Sequence, residues 1–392
     1  MSGKYQKRFL ESHVKRLAAQ YPVVTVTGPR QSGKTTLCRH LFPKKEYVTL
    51  ESIDVRNQIQ EDPNGFIRKV SDKGVILDEI QRYPGLLSYI QTAVDENNIP
   101  GQFILTGSQN FQLLSSVSQS LAGRTALLTL LPYSLREIYT QKQLKELNSE
   151  DIIFKGFYPR IFSHNLDPQE AMGYYISLYI ERDIRQLLNV TSLGAFETFL
   201  KVCASLNGQI VNLSQISNDV GISVNTVRSW LSILETSYII VLLKPHFKNY
   251  RKRLIKSPKL YFLDTALSLN LLGIQTPHQI SSHPLKGAIF EAFIVAECFK
   301  QCYHTSHKPH LYYFRDNVGN EVDLLIEKGP DIQAVEIKSS ETMNSTYFKG
   351  LKYYEALNNQ TVEPTIIYGG KKSYSQNQYQ IKGFRDIGDL LT

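Results

Sequence analysis

Cysteine is scarce. The 392 residues hold four, Cys38, Cys203, Cys298 and Cys302, with no C-x-x-C spacing among them. That excludes a disulfide framework and a zinc site of ordinary ligand spacing. Cys298 and Cys302 can share one helix face and read as two small buried hydrophobes. Long apolar runs are missing too: no stretch approaches the ~18 residues of a membrane span. The N-terminal MSGKYQKRFL lacks the apolar core and small-residue cleavage site of a signal peptide. A cytoplasmic protein with no membrane partner is expected. Acidic residues are absent between Lys244 and Lys259, where seven basic ones fall: Lys244, Lys248, Arg251, Lys252, Arg253, Lys256 and Lys259. The net charge is +8, from 44 basic against 36 acidic residues, so this one segment carries nearly the whole surplus. Such a stripe is the footprint of a phosphate-backbone contact or of a solvated surface loop. Length and the 42% hydrophobic, 20% charged composition fit two or three ordinary globular domains.

What is present is organised around Gly28-Pro-Arg-Gln-Ser-Gly-Lys-Thr-Thr-Leu37. A β-branched run, Pro22-Val-Val-Thr-Val-Thr27, precedes it and a helix-forming segment follows. Gly28, Gly33, Lys34 and Thr35 match G-x-x-x-x-G-K-[ST] in its strand-loop-helix setting. Backbone N–H groups of such a loop converge on phosphate oxygens, the lysine reaches the terminal phosphates and the hydroxyl can ligate Mg²⁺. The expected ATP-binding set is Gly28, Pro29, Arg30, Gln31, Ser32, Gly33, Lys34, Thr35 and Thr36, with Lys34 also catalytic.

Lys73-Gly-Val-Ile-Leu-Asp-Glu-Ile-Gln81 is an apolar run ending in two carboxylates. A buried parallel strand reads as such a run, and its C-terminal end faces the ligand crevice of an open α/β sheet. Asp78 is then placed to hold the Mg²⁺ hydration shell, and Glu79 to orient or deprotonate the attacking water. A further strand, Gly101-Gln-Phe-Ile-Leu-Thr-Gly-Ser-Gln-Asn110, ends in small polar groups. Ser108 is the first choice for a contact to the γ-phosphate or the water, with Thr106 and Gln109 as alternatives. Arg124 follows on a loop; it either stabilises charge on the γ-phosphate or pairs with a surface neighbour. Strands alternate with helices from Tyr21 to Leu131, which predicts a parallel sheet covered on both faces.

Beyond this ATPase domain (1–142) and a helical lid or linker (143–197), Asn212 to Gly221 reads as a short helix closed by glycine. A second helix follows, N-capped by Ser223, with Val224, Val227, Leu231 and Leu234 on one face. Helix, glycine turn and helix, then the strand Tyr238–Leu243, the basic stripe and the strand Lys259–Leu263, outline a winged-helix-like domain (198–275). Its exposed face, with Asn225, Arg228, Ser229 and Ser232, is polar and only weakly basic, so both DNA and a protein partner fit it.

The last segment (276–392) carries a predicted hairpin, Glu321–Glu327 and Ile332–Lys338, about a turn at Gly329-Pro330. Symmetry about that turn sets Asp323 opposite Glu336, and alternation puts Glu336 and Lys338 on one face. Glu291 stands out on an apolar upstream helix. Carboxylates so grouped suit Mg²⁺ or Mn²⁺, with the lysine stabilising charge on a phosphate. The same residues also describe a hairpin with cross-strand charge pairs on a wet face.

These residues resemble a family of prokaryotic AAA-type ATPases that join a P-loop ATPase to a C-terminal restriction-endonuclease-like domain. GPRQSGKTTL, VILDEIQ and ILTGSQN carry the first half of the resemblance, YIERDIRQL its linking helix, and GAIFEAFIVAE, NEVDLLIE and AVEIKSS the last part. It implies an α/β P-loop ATPase, a winged-helix segment and a small α/β core of the PD-(D/E)XK type. In that core Asp323, Glu336 and Lys338 would be the metal and catalytic positions and Glu291 the helix carboxylate. Val322 stands where the motif has proline. Two functions are in view: an Mg²⁺-dependent ATPase acting on DNA through a nuclease-like domain, or an ATP-driven switch whose C-terminal domain only binds a partner. The sequence assigns Arg182 no role and leaves a homo-oligomer open.

Overall fold

The computed structural model describes residues 5–108, 120–180, 193–246, 257–358 and 361–391. Gln109, Arg182 and the basic residues Lys248, Arg251, Lys252, Arg253 and Lys256 lie outside these. The chain forms two compact units. The first takes Met1–Tyr133, Thr236–Tyr238 and Tyr303–His307; the second takes Ser134–Glu235, Ile239–Cys302 and Lys308–Thr392.

The first unit is built on strands β1 (Val23–Thr27), β2 (Glu46–Thr49), β3 (Val75–Asp78), β4 (Phe103–Thr106) and β5 (Thr125–Thr129). They form one parallel sheet in the order β2-β3-β4-β1-β5. All residues of β1, β3 and β4 are buried, because helices cover both faces of a parallel sheet. Alternation divides the apolar side chains. Val24, Val26, Ile76 and Ile104 pack with Leu10, Val14, Leu37 and Cys38 from helices α1 (Glu11–Ala18) and α2 (Lys34–Leu41) and the turn before α1. Val23, Val75, Leu77, Phe103 and Leu105 pack on the other face. There they meet Ile59 of α3 (Ile53–Glu61), Val70 of α4 (Pro63–Ser71) and Ile90 of α5 (Leu86–Glu96). Strand order matters for function: β4 lies between β1 and β3, so its C-terminal end sits beside both the glycine loop and Asp78.

The second unit has an all-helical part and a mixed sheet. Helices α11 (Leu193–Ser205), α12 (Leu213–Val220) and α13 (Val224–Thr236) close around the lone tryptophan: Trp230 meets Phe196 and Phe199 edge-on at 5.1 and 5.2 Å. Helices α6–α10 precede them, at Leu135–Ile138, Gln141–Glu146, Ser149–Lys155, Pro159–His164 and Pro168–Tyr175. Asn212 caps α12 through its side chain, and Gly221 ends it in the left-handed region at φ 75°.

Eight strands follow in the order β12-β13-β11-β10-β9-β8-β6-β7. Their ranges are β6 (Ile240–Pro245), β7 (Lys259–Phe262), β8 (Leu311–Arg315), β9 (Glu321–Lys328), β10 (Asp331–Lys338), β11 (Val362–Tyr368), β12 (Tyr374–Gln376) and β13 (Tyr379–Gly383). The sequence groups the β6–β7 pair with the preceding helices in the winged-helix-like domain (198–275), whereas the structure adds it to the C-terminal sheet. Within the sheet β7 pairs with Ile240–Leu243 of β6, with a further bridge from Lys259 to Ile210, and the last two residues of β6, Lys244 and Pro245, continue alongside Tyr312 and Tyr313 of β8. Unpaired backbone groups at a strand end need a partner, and β8 supplies it. Helix α14 (Lys286–His304) carries Glu291.

Candidate functional site

In the first unit the sequence dictates the loop's shape locally. Gly28 has φ 143°, and a Cβ there would fall 2.1 Å from the Leu130 carbonyl oxygen, so only glycine fits. Gly33 at φ 93° turns the chain into α2, whose N-terminal N–H groups are the unsatisfied donors of any helix start. Gln31 is also left-handed, at φ 60°. Buried Lys34 points its Nζ at the carbonyls of Gly28 (3.1 Å) and Pro29 (2.8 Å). Burial pulls its pKa down to about 8, against the opposing pull of Glu79 and Asp78. Within the loop Ser32 is fully buried and its Oγ has no hydrogen-bond partner, Arg30 is half-buried, and Thr36 is exposed.

Asp78 ends β3 against this loop. Its Oδ1 accepts from Thr35 Oγ1 at 2.8 Å and from Thr106 Oγ1; its Oδ2 accepts from Tyr47 Oη at 2.8 Å. Glu79 is left-handed, at φ 58°, and accepts from Gln81 Nε2 and, at 3.4 Å, from Ser108 Oγ. Gln81 Nε2 also donates to Ser108 at 2.9 Å. Of the two described polar residues proposed at the end of β4, Thr106 therefore touches Asp78 and Ser108 touches Glu79. Tyr47 and Gln81 were not expected in the site. Tyr47 is the one polar ring in the alternation of β2, the neighbour of β3, and nothing in the sequence orients it.

The fit to a nucleoside triphosphate with Mg²⁺ is good. The loop leaves no room for a Cβ at Gly28, Lys34 Nζ donates to its own loop's carbonyls among the described residues, and the Thr35 hydroxyl and Asp78 carboxylate meet where a hard cation takes oxygen ligands.

Arg124 is a correction. It precedes β5, and its carbonyl accepts from Val23 N at 3.3 Å, at the N-terminal end of the parallel sheet. The glycine loop leaves the opposite end, about 15 Å away at 3.3 Å per strand residue. Its guanidinium instead makes a bidentate pair with Asp95 at 2.6 and 2.9 Å, which lowers the Asp95 pKa by hydrogen bonding. Arg124 does not reach its own chain's phosphate loop.

In the second unit the hairpin has the expected register. Lys328 to Leu324 pair with Asp331 to Val335 in order, which continues to Asp323 opposite Glu336. The two carboxylates and Lys338 converge with Glu291 on a cavity of about 510 Å³, also lined by Lys259, Glu321, Arg315 and Gln209. Lysine nitrogens engage these oxygens. Lys338 Nζ lies 2.6 Å from Glu336 Oε1 and 3.4 Å from Asp323 Oδ2, which also accepts from Ile337 N at 2.7 Å. Lys259 Nζ lies 2.9 Å from Glu291 Oε1 and 2.5 Å from Glu321 Oε1; Tyr261 Oη donates to the same Glu291 oxygen at 2.6 Å. Burial, reinforced by the Asp323 charge, pushes the Glu336 carboxyl up to about 8 and Glu291 up to about 7. Burial alone would lower Lys259, but Glu291, Asp323 and Glu321 outweigh it and hold the ammonium above its usual range.

This corrects two expectations. Lys259, counted in the basic stripe, is 3% exposed and inward-facing, so among the described residues the stripe keeps only Lys244 in solvent. Glu291, Asp323 and Glu336 come together, but as partners of ammonium groups. No three carboxylate, imidazole or thiolate groups among the described residues are arranged to hold a metal ion. The residues present do not fit a preformed divalent site.

All four cysteines are free and buried, and among the described residues no helix is long and apolar enough to cross a membrane.

Three segments of the chain match family models. Residues 146–278 match a domain of unknown function (DUF8612) and residues 286–385 another (DUF4143). Two curated proteins, the uncharacterized proteins Mb2031c of Mycobacterium bovis and Rv2008c of Mycobacterium tuberculosis, are each 29% identical over 343 residues, covering 86% of this chain and 75% of theirs. Among solved structures, the Walker-type ATPase PABY2304 of Pyrococcus abyssi is similar at a TM-score of 0.46 and 15% identity, over 67% of this chain and 94% of that one. A RuvB variant of Thermotoga maritima gives 0.30 and 18%, over 63% and 91%. Scores of that size are too low to define a shared fold. The specific match is to residues 20–139, which correspond to an AAA domain and support an AAA-type ATPase in the first unit.

Proposed function

We propose that the first unit binds ATP with Mg²⁺ and hydrolyses it. The observation that carries this reading is the meeting of Thr35, Asp78 and Thr106 at the C-terminal edge of the parallel sheet, next to a loop with no room for a side chain at Gly28. The loop N–H groups and Lys34 would hold the phosphates, and Thr35 and Asp78 the cation. Bound Mg²⁺ supplies charge neutralisation on the transferring phosphoryl group. Glu79, steadied by Gln81 and Ser108, orients the attacking water and accepts its proton. Phosphate release from ATP tests this. Lys34→Ala should abolish binding or turnover, and Glu79→Gln should retain binding while turnover stops. Unchanged turnover in both would place the site elsewhere.

For the second unit, the ion pairs of Lys259 and Lys338 favour the switch reading: ATP turnover acts on a domain that binds a partner. DNA is the partner we infer. A glycine-closed helix pair with exposed Asn225 and Arg228, together with an exposed Lys244, supports it. DNA binding should weaken steeply with salt; salt-independent binding, or none, would point to a protein partner. The nuclease reading is tested by incubating DNA with ATP and Mg²⁺ or Mn²⁺, comparing wild type, Asp323→Ala and Lys338→Ala. Cleavage by wild type that both variants lose would restore it. The cytoplasm is the compartment that four buried free thiols fit.

A further inference from the structure

Arg8 precedes α1, 20 residues before the glycine loop, and no motif draws attention to it. It is nevertheless 97% buried: its exposure is 3%. A guanidinium is buried only when its donors are satisfied. Here Nη1 donates to the carbonyl of Ser32, inside the glycine loop, at 3.0 Å. Nη2 donates to the carbonyl of Leu131 at 2.7 Å and reaches that of Pro132 at 3.5 Å, and it lies 3.4 Å from His304 Nε2. The guanidinium carbon sits 4.6 Å above the Tyr133 ring. Leu130, which starts that segment, donates its N–H to Thr27 at 2.8 Å, and its carbonyl occupies the space a Gly28 side chain would need. The segment after β5 thus backs the glycine loop at its first residue, and Arg8 ties the two together at Ser32.

The chemistry of the peptide bond gives this contact a consequence. The Ser32 carbonyl and the Gly33 N–H belong to one peptide plane, and no peptide bond among the described residues is cis. In a trans peptide the two groups point to opposite sides. A donor that holds the Ser32 oxygen on the protein side therefore turns the Gly33 N–H to the other side, where phosphate binds in the proposed reaction. Arginine suits the task because its planar fork can hold two acceptors in fixed directions, whereas a lysine ammonium is a single point of charge.

We propose that Arg8 is the positioning residue of the phosphate loop: it sets the Ser32–Gly33 peptide plane for phosphate and braces it against Leu131–Tyr133. This rests on the nucleotide reading above. The test is a fluorescence titration of the full chain with mant-ADP in Mg²⁺ and, as a phosphate-free probe, with mant-adenosine, for wild type, Arg8→Ala, Arg8→Lys and Lys34→Ala. Losing a charge-assisted anchor of this kind corresponds to about 10–100-fold. Arg8→Ala should weaken mant-ADP by that factor and leave mant-adenosine within about threefold, with Arg8→Lys between it and wild type. Should Arg8→Ala not fold, Arg8→Lys carries the test by the same split between the two probes. Equal losses for both probes would make Arg8 a packing residue only, and wild-type mant-ADP affinity in a folded Arg8 variant would remove its role; either result overturns the proposal. The nucleotide reading fails separately, if wild type binds no mant-ADP or if Lys34→Ala binds it unchanged.

Discussion

Asp78 and Asp323 each end up in a nest of donors, but the donors differ in kind. Asp78 is held by three neutral hydroxyls, from Thr35, Tyr47 and Thr106. No ammonium group hydrogen-bonds to it among the described residues, and a hydroxyl can rotate to offer a lone pair to a cation. Asp323 shares its cavity with Glu291, Glu321 and Glu336, and two ammonium groups and Arg315 stand among them. The number of carboxylates is larger there, yet the site is less suited to a divalent ion. Whether charge is already compensated decides this, more than how many oxygens converge.

Four substitutions probe that contrast. The largest effect is expected from Lys259→Met, which leaves Glu291 and Glu321 facing each other in the cavity wall. Breaking a buried pair from one side costs about 3–5 kcal/mol, and the urea midpoint should fall accordingly; a loss under about 1 kcal/mol would mean that Lys259 does not neutralise the cluster. Asp78→Asn preserves the shape of its hydroxyl nest but removes the charge. ATP turnover should drop about 100–1000-fold with little change in melting temperature, whereas a large drop in melting temperature would show that the nest is structural. Glu336→Gln addresses pH. A carboxyl whose folded pKa is raised binds its proton more tightly folded than unfolded, so the folded state loses stability as pH climbs from the ordinary carboxylate range to about 8. The variant should flatten that decline, a gain on the order of 1–3 kcal/mol at the alkaline end, seen as converging melting temperatures at pH 5 and diverging ones at pH 8.5. A decline unchanged in the variant would place the proton elsewhere. The smallest effect belongs to Tyr47→Phe, which removes one of three donors to Asp78. It should cost about 1 kcal/mol, read as a several-fold rise in the Mg²⁺ concentration that half-saturates turnover; no change would mean that Thr35 and Thr106 orient Asp78 alone.

The phosphate loop was legible because its geometry is local: glycines at fixed offsets, a strand before and a helix after. The hairpin register was legible for the same reason, since a two-residue turn at Gly329-Pro330 dictates which residues face each other. Arg124 could have been placed correctly from its position just before Thr125-Ala-Leu-Leu-Thr129, because in a parallel sheet the residue preceding a strand lies at the end away from the ligand. Lys259 could not. In the sequence it is the last of seven basic residues, and only the pairing of β7 with β6 turns it inward to Glu291.

By itself, then, the sequence determined the elements whose contacts lie within about a dozen residues: the Gly28–Thr36 loop, the apolar strand ending in Asp78 and Glu79, the glycine-closed helix pair, and Asp323 opposite Glu336. Tertiary structure decided which distant groups meet them. It inserted β4 between β1 and β3, brought Tyr47 to Asp78 and Arg8 to Ser32, and set Lys259 among the carboxylates. The physical reason is that turn geometry and alternation are properties of neighbouring residues. The partner of a buried charge is chosen by whichever element the packing brings within about 3 Å of it.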